Sequence, residues 1–501
     1  MMKKTIVCTL IVCSVPLSFA DSGTLLNQAG NDIDLSSKIQ ISKQLNLDNP
    51  FVIQVFSAWK SMGPTEMTTG QWIELILDKQ HEKALTMLPT IEPKTKDAKL
   101  ISLKQASELY LLYQTKNYQT FLTRWIDLAS SSNFLQTEMG VALDQIVGVN
   151  STQMLIDNGF YLTPAISEKL KKIETIPSKL NYSLQAFKAL RARENAVAWI
   201  GKLDESDPLR MPLAQTALLH YAKDGKLGAS GKIIKGIVEP ILSKSNNEEE
   251  LSLYFMTLGR LLYQAGAMSE SKKYYDLIPE TSSYFLKAKT EALWAHLRDN
   301  DFARTKGELA TLELSMFNDK FYPEAYVISA MANVMLCQFN ESRSAINRFI
   351  EVNKKWAGVI EKNLKDPKAV PITPNFFIAN LERAKNSIQN EKMIPENMKK
   401  DTVLAIDESI RREISSQWKN RKTMLESALY KMKFVKIELI SRMRAVEMNM
   451  KIAGSDEVRQ QSAAPVRNNQ ISFPRDGALW GDELFHMSAA IKNKCIQGKL
   501  K

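Results

Sequence analysis

The sequence predicts an all-α protein: a solenoid of α-hairpins, then a long helix or helical hairpin, then a C-terminal tail docked back onto the hairpins. Three observations lead there. Gly and Pro are few, 20 and 18 among 501 residues, so long stretches carry no helix breaker. Apolar residues recur at helical spacing almost everywhere, and no β-branched run alternates with polar residues at the strand period. Paired helical segments recur along the chain, and units of that kind bury their faces only by stacking on their neighbours.

The layout read from the sequence begins with a signal peptide over residues 1–20. Lys3 and Lys4 precede an apolar run from Thr5 to Val15, and Ser18-Phe19-Ala20 places small residues where signal peptidase cleaves. The run is too short to span a bilayer, and no later stretch is long enough, so a mature, soluble, periplasmic chain starting near Asp21 is expected. The alternative is a lipoprotein anchored at Cys13 of Leu10-Ile11-Val12-Cys13, although Val12 fills a position that takes a small residue. The formal charge is +11; removing Lys3 and Lys4 leaves 64 basic and 55 acidic residues, a mature charge of +9. Export takes nucleic acid out of reach, which leaves acidic protein, cell-wall or lipid surfaces as partners, or simply a solvated surface. Of four cysteines, Cys8 and Cys13 leave with the signal peptide. Cys337 and Cys495 remain, either as a disulfide in an oxidising compartment or as two buried free thiols.

Repetition is clearest over residues 250–350. In "SLYFMTLGRLLYQAGAMSESKKYYDLIP" (252–279), Phe255, Leu258-Gly259 and Leu262 share a helix face, and after Gly266 a second helix sets Ser271 four residues before Tyr275. Asn300 aligns on Gly266 after 34 residues, followed by Thr305 and Leu309; Cys337 stands 37 residues further on, followed by Ser342 and Ile346. This spacing of large, small and large residues resembles the tetratricopeptide repeat. The middle unit departs from it at Lys289, which takes an aromatic position. Upstream, residues 21–240 form a less regular helical region, with turn and second-helix patterns at 77–88, 114–125 and 222–233.

Past 350 the pattern changes. "DPKAVPITP" (366–374) marks a break, and a long helical region follows over 376–453. From Lys400 to Ala453 there is neither Gly nor Pro, enough for a helix about 80 Å long. Leu425, Met432, Leu439 and Val446 recur every seven residues beside Leu429, Met443 and Met450, a coiled-coil-like seam. That seam either joins two copies of the chain or folds back on the solenoid, and Lys436, which interrupts its second row, favours the fold-back. Residues 454–470 read as a polar linker and 471–501 as a clasp. There Asp482 begins a short helix whose stripe is Leu484, Met487, Ile491 and Cys495, Trp480 inserts into the surface beneath, and Cys495 bonds Cys337.

Chemistry-bearing motifs fail one by one. Gly231-Lys232 ends a Gly-rich stretch, but Lys226 replaces the first glycine of a phosphate loop and Ile233 its hydroxyl residue. His81-Glu82 opens like a zinc-protease helix, yet Leu85 stands where the second histidine belongs, and no Cys/His cluster has ligand spacing. Neither a catalytic residue, nor a metal, nor a cofactor is assigned. A lytic transglycosylase, the one enzyme class weighed, would use Glu408-Ser409 or Glu426-Ser427. Both pairs fall within the long charged helix, and the segments that shape that family's cleft are missing.

Trp480-Gly481-Asp482-Glu483-Leu484 followed by Cys495, behind a long basic helix and repeat hairpins, resembles exported tetratricopeptide proteins of the adventurous gliding motility type. Phe485 stands where those chains usually carry glycine. The resemblance, over residues 250–495, implies a periplasmic scaffold in an envelope machine for motility or secretion, with no catalysis. Tetratricopeptide arrays bind protein partners along the wall made by their first helices. By that resemblance the contact residues are Arg260, Tyr263, Trp294, Arg298 and Met331, the aromatic and arginine types that carry interface energy. The alternative is a structural spacer that self-associates through 400–453.

Overall fold

A computed structural model describes residues 71–453, apart from short interior stretches of which the longest are 91–97 and 225–230, together with Val55, 471–472, 488–489, 491 and 493–495. The structure is mostly helical with almost no strand, as the sequence predicts. No described helix is long and apolar enough to cross a membrane. The expected signal peptide over 1–20, Cys13, the stretch 454–470 expected as a linker, Trp480, Leu484 and Met487 lie outside the described residues.

In chain order the helices are α1 His81–Met87, α2 Ala98–Gln114, α3 Tyr118–Ser131, α4 Glu138–Gly148, α5 Ser151–Asn158, α6 Pro164–Lys172, α7 Lys179–Ala192, α8 Val197–Ile200, α9 Arg210–Asp224, α10 Glu239–Leu242, α11 Glu248–Gln264, α12 Met268–Asp276, α13 Phe285–Arg298, α14 Phe302–Leu312, α15 Pro323–Met335, α16 Phe339–Lys365, α17 Phe376–Asn390 and α18 Glu396–Ala453. A two-stranded antiparallel pairing joins β1 (Ile471–Ser472) to β2 (Ser488–Ala489). The chain divides into two compact units, Met1–Lys116 with Asn133–Ile146, and Asn117–Ser132 with Val147–Lys501. In the first, Trp72 is buried and donates from Nε1 to the carbonyl of Ala84 at 2.9 Å. Burial there pushes the Tyr110 hydroxyl up to about 12.

In the second unit helix starts follow from local chemistry. Thr163, Ser178, Asn247 and Asn375 each accept a backbone N–H of the first turn they precede. Glu248, Glu249 and Glu250 add negative charge at the positive end of α11. The turns carry the repetition. Gly266, Asn300 and Cys337 all hold positive φ, 83°, 60° and 55°. At each, the residue's own N–H bonds three residues back, to Tyr263, Leu297 and Val334. The next N–H reaches five back, to Leu262, His296 and Asn333. That double bond pattern is the Schellman stop of a helix, and these three follow the spacing read from the sequence; the same stop closes helices at Lys79 and Arg193. Lys79 and Lys116, at the upstream turns anticipated near 77–88 and 114–125, hold φ of 59° and 60°.

Each helix from α11 to α16 packs on the next, and α11, α13 and α15 also meet in sequence. The small positions behave as expected. Ser271, Thr305 and Ser342 are fully buried. Ser271 donates to the carbonyl of Gly259 at 2.7 Å and Ser342 to that of Ala330 at 3.0 Å, whereas Thr305 turns back on Asp301. Lys289, out of pattern, is buried with its ammonium 2.7 Å from Asp276, which gives the cation a partner in the core.

The long helix begins at Glu396 and ends at Ala453. Its seam folds back rather than facing a second copy: Ala428, Met432, Val435 and Leu439 pack with Val327, Ala330 and Val334 of α15 and Ala345, Ile346 and Phe349 of α16. Further toward its start, Ile406 packs with Leu381, Ala384 and Ile388 of α17. Helix α17 continues onto α3 and α5, where Asn380 and Phe160 exchange hydrogen bonds.

Candidate functional site: the row on the first helices

Gly259, Leu293 and Ala330 occupy equivalent packing positions, and the residue after each is Arg260, Trp294 and Met331. Each of the latter three stands six residues before its helix stop, so α11, α13 and α15 carry them in the same register, although Trp294 also packs against the core that α15, α16 and α18 share. The row is unlike in chemistry: a guanidinium, an indole and a thioether. Arg260 and Trp294 are half-buried and Met331 is exposed.

The charges of this row are already engaged. Arg260 makes a bidentate pair with Glu291, Nε to Oε2 and an Nη to Oε1 both at 2.6 Å. Tyr275 donates to the same carboxylate at 3.3 Å, and burial, then the charge of Glu291, holds that phenol far above its ordinary range. Trp294 donates from Nε1 to Glu324 at 3.3 Å, and Lys431 of α18 lies 5.2 Å from the indole centroid while also bonding Glu324. A ligand at Trp294 therefore meets Lys431 as well. Arg298, by contrast, stacks on Tyr263 at 5.3 Å from the ring centroid and has no carboxylate partner among the described residues. Its guanidinium is exposed.

Family models, curated proteins and solved structures give no match to this chain. Of the five residues expected from the sequence, Arg260, Trp294 and Met331 form the row, while Tyr263 and Arg298 form a cation–aromatic pair one turn along. Glu291, Glu324 and Lys431 were missed. A spacing signal existed for the first: Glu291 lies one repeat step less one helical turn from Arg260. Nothing in sequence spacing could have brought Lys431 to Trp294, because that contact depends on how α18 folds back.

The tail departs from expectation. Ser488–Ala489 is extended and pairs with Ile471–Ser472, and Ile491 and 493–495 are irregular, so the helical stripe through Ile491 and Cys495 does not form. A helix so short is marginal without a packed face, and strand pairing and the bond from Lys494 N–H to the Leu336 carbonyl engage this backbone instead. The attachment itself is as expected: the sulfurs of Cys337 and Cys495 lie at bonding distance, 2.11 Å. Lys494 donates its N–H to Leu336 at 3.0 Å and its ammonium to Glu341 at 2.9 Å, and β2 rests on α14.

His296 is buried between Asp301 at 3.3 Å and Glu308 at 3.4 Å, with Arg304 bonding Glu308 at 2.9 Å. Among the described residues no group of three His, Cys, Asp or Glu could hold a metal ion. Glu408 bridges Arg411 and Arg412, and Glu426 and Ser427 are exposed along α18.

Proposed function

We propose that this chain is an exported scaffold of the tetratricopeptide type that holds a protein segment against the row Arg260, Trp294, Met331 and the adjoining Tyr263 and Arg298. The supporting observation is the threefold recurrence of one helix stop, at residues 266, 300 and 337, which repeats the presentation of the first helices. In this reading the protein works in the periplasm as an adaptor in an envelope machine serving motility or secretion, and does no catalysis.

The geometry refines the partner's chemistry. An acidic segment can reach Arg298 without breaking an existing pair, whereas at Arg260 it must compete with Glu291. The best fit is an amphipathic segment whose apolar side lies on Tyr263, Trp294 and Met331 and whose acidic end meets Arg298. The test is Arg298→Glu with Met331→Asp, two exposed positions where substitution leaves the fold intact. Crosslinking in the native envelope followed by mass spectrometry should show about a tenfold or greater loss of the captured partner. Capture at the original yield would remove the row from consideration. Arg260→Glu is the weaker test, because it leaves Glu291 facing a second carboxylate and perturbs the fold.

A further inference from the structure

Helix α18 carries two apolar stripes, and only one is consumed by the fold. On the face opposite Ala428, Met432, Val435 and Leu439, the side chains of Tyr430, Phe434, Ile437 and Met448 are each more than half exposed. Tyr430 and Phe434 touch edge to face at 4.8 Å between centroids. These residues follow a second heptad frame, offset from the buried seam. Ser427, Phe434, Ser441 and Met448 take one core position, and Thr423, Tyr430, Ile437 and Arg444 the other.

We propose that this outer stripe is the seam of a parallel, in-register dimer of the chain. The occupant is argued from the flanking charges. In a parallel pair each residue before the first core position faces, on the second copy, the residue five further along. Glu426 then meets Lys431 of the second copy and Lys433 meets Glu438, so both charged pairs are attractive and each occurs twice across the two-fold axis. An antiparallel pair that keeps Phe434 on Ile437 retains one attractive contact, Lys431 with Glu438, but sets Glu426 against Glu447 and Lys433 against Ile440. The flanking charges favour the parallel register, although Arg444 then faces its own counterpart across the axis, and a second copy is the partner that supplies these flanks. Lys431, Glu438 and Glu426 are already paired within the chain, to Glu324, to Arg442 and, at 3.9 Å, to Lys422, on contacts at the flank that leave the apolar seam open.

The seam is distinct from Leu425, Met432 and Leu439, which the fold buries, and the proposal does not rest on the first-helix row. Four apolar side chains per copy fill less than the roughly 800 Å² per partner of a standard stable interface, so the dimer is a weak one, forming in the micromolar range.

Sedimentation velocity of the purified chain, from sub-micromolar to high-micromolar concentration, should show a concentration-dependent step from monomer to dimer. Phe434→Glu should weaken association by at least about tenfold with unchanged far-ultraviolet dichroism, since the side chain is exposed in the monomer. Lys433→Glu should weaken it by roughly fivefold, and the exchange Lys433→Glu with Glu438→Lys should restore it. Ser441→Cys should crosslink to its own counterpart under mild oxidation. A monomer at every concentration overturns the proposal. So does a dimer indifferent to Phe434→Glu, or an exchange variant no tighter than Lys433→Glu alone. A different protein occupying the stripe would appear as a monomeric chain and counts against it.

Discussion

Glu391→Ala is expected to cost about 3 kcal/mol of unfolding free energy, although Glu391 lies 272 residues from the helix it supports. The carboxylate stands just past the end of α17 and reaches the start of α3. It accepts the N–H of Gln119 at 2.5 Å, the N–H of Thr120 at 3.1 Å and the hydroxyl of Thr120 at 2.8 Å. These are first-turn donors that α3 cannot satisfy itself. Asn117, the residue before the helix, makes no side-chain cap bond. The glutamate is only 3% exposed, so removing it strands two backbone donors out of water, each worth roughly 1–3 kcal/mol.

The pH dependence sharpens the test. Burial raises the Glu391 carboxyl above its ordinary value, against the lowering influence of its bonds to Gln119, Thr120 and Ser387. A folded-state value above the unfolded one means that the group's contribution is fully present below the ordinary carboxylate range. It is lost as pH rises through the raised value. The difference between wild type and Glu391→Ala, from urea denaturation, should therefore shrink between acid and neutral pH. A difference below about 1 kcal/mol at acid pH would refute the cap. A difference that grows with pH would show that the N–H groups, not burial, govern the carboxyl.

Two further outcomes follow from packing and covalent closure. A Cβ at Gly259 would stand 2.9 Å from Cε1 and Cζ of Tyr275, so Gly259→Ala should destabilise by about 1–2 kcal/mol despite better helix propensity. Adding Tyr275→Leu should remove most of that penalty, and strict additivity in the double mutant would refute the contact. Cys337 and Cys495 close a loop 158 residues apart, worth about 5 kcal/mol in the chain-entropy account. Replacing both with serine should lower Tm by about 5 °C and abolish the effect of reductant, whereas a shift under about 1 °C would refute the clamp.

Much of the fold was legible because its signals are local. Helical periodicity, the small residues Ser271, Thr305 and Ser342, and the stops at Gly266, Asn300 and Cys337 each involve neighbours within a few residues, or the facing helix of the same hairpin. The pairing of Cys337 with Cys495 was legible by count, once two of four cysteines were assigned to the leading segment.

What only the tertiary structure decided is which remote surfaces win. Seven-residue recurrence picked out the row of Leu425, Met432 and Leu439 on α18, but which helices cover it was decided by the fit of Met432, Val435 and Leu439 against α15 and α16. The same fold-back brought Lys431 to Trp294, and α17 brought Glu391 to α3, contacts whose partners lie over a hundred residues apart. The tail shows the opposite failure: the helical pattern expected through Ile491 and Cys495 is absent among its described residues, where Ser488–Ala489 pairs with Ile471–Ser472 and Cys495 is joined to Cys337. Local free energies set the elements of this protein, and competition among distant surfaces set where those elements point.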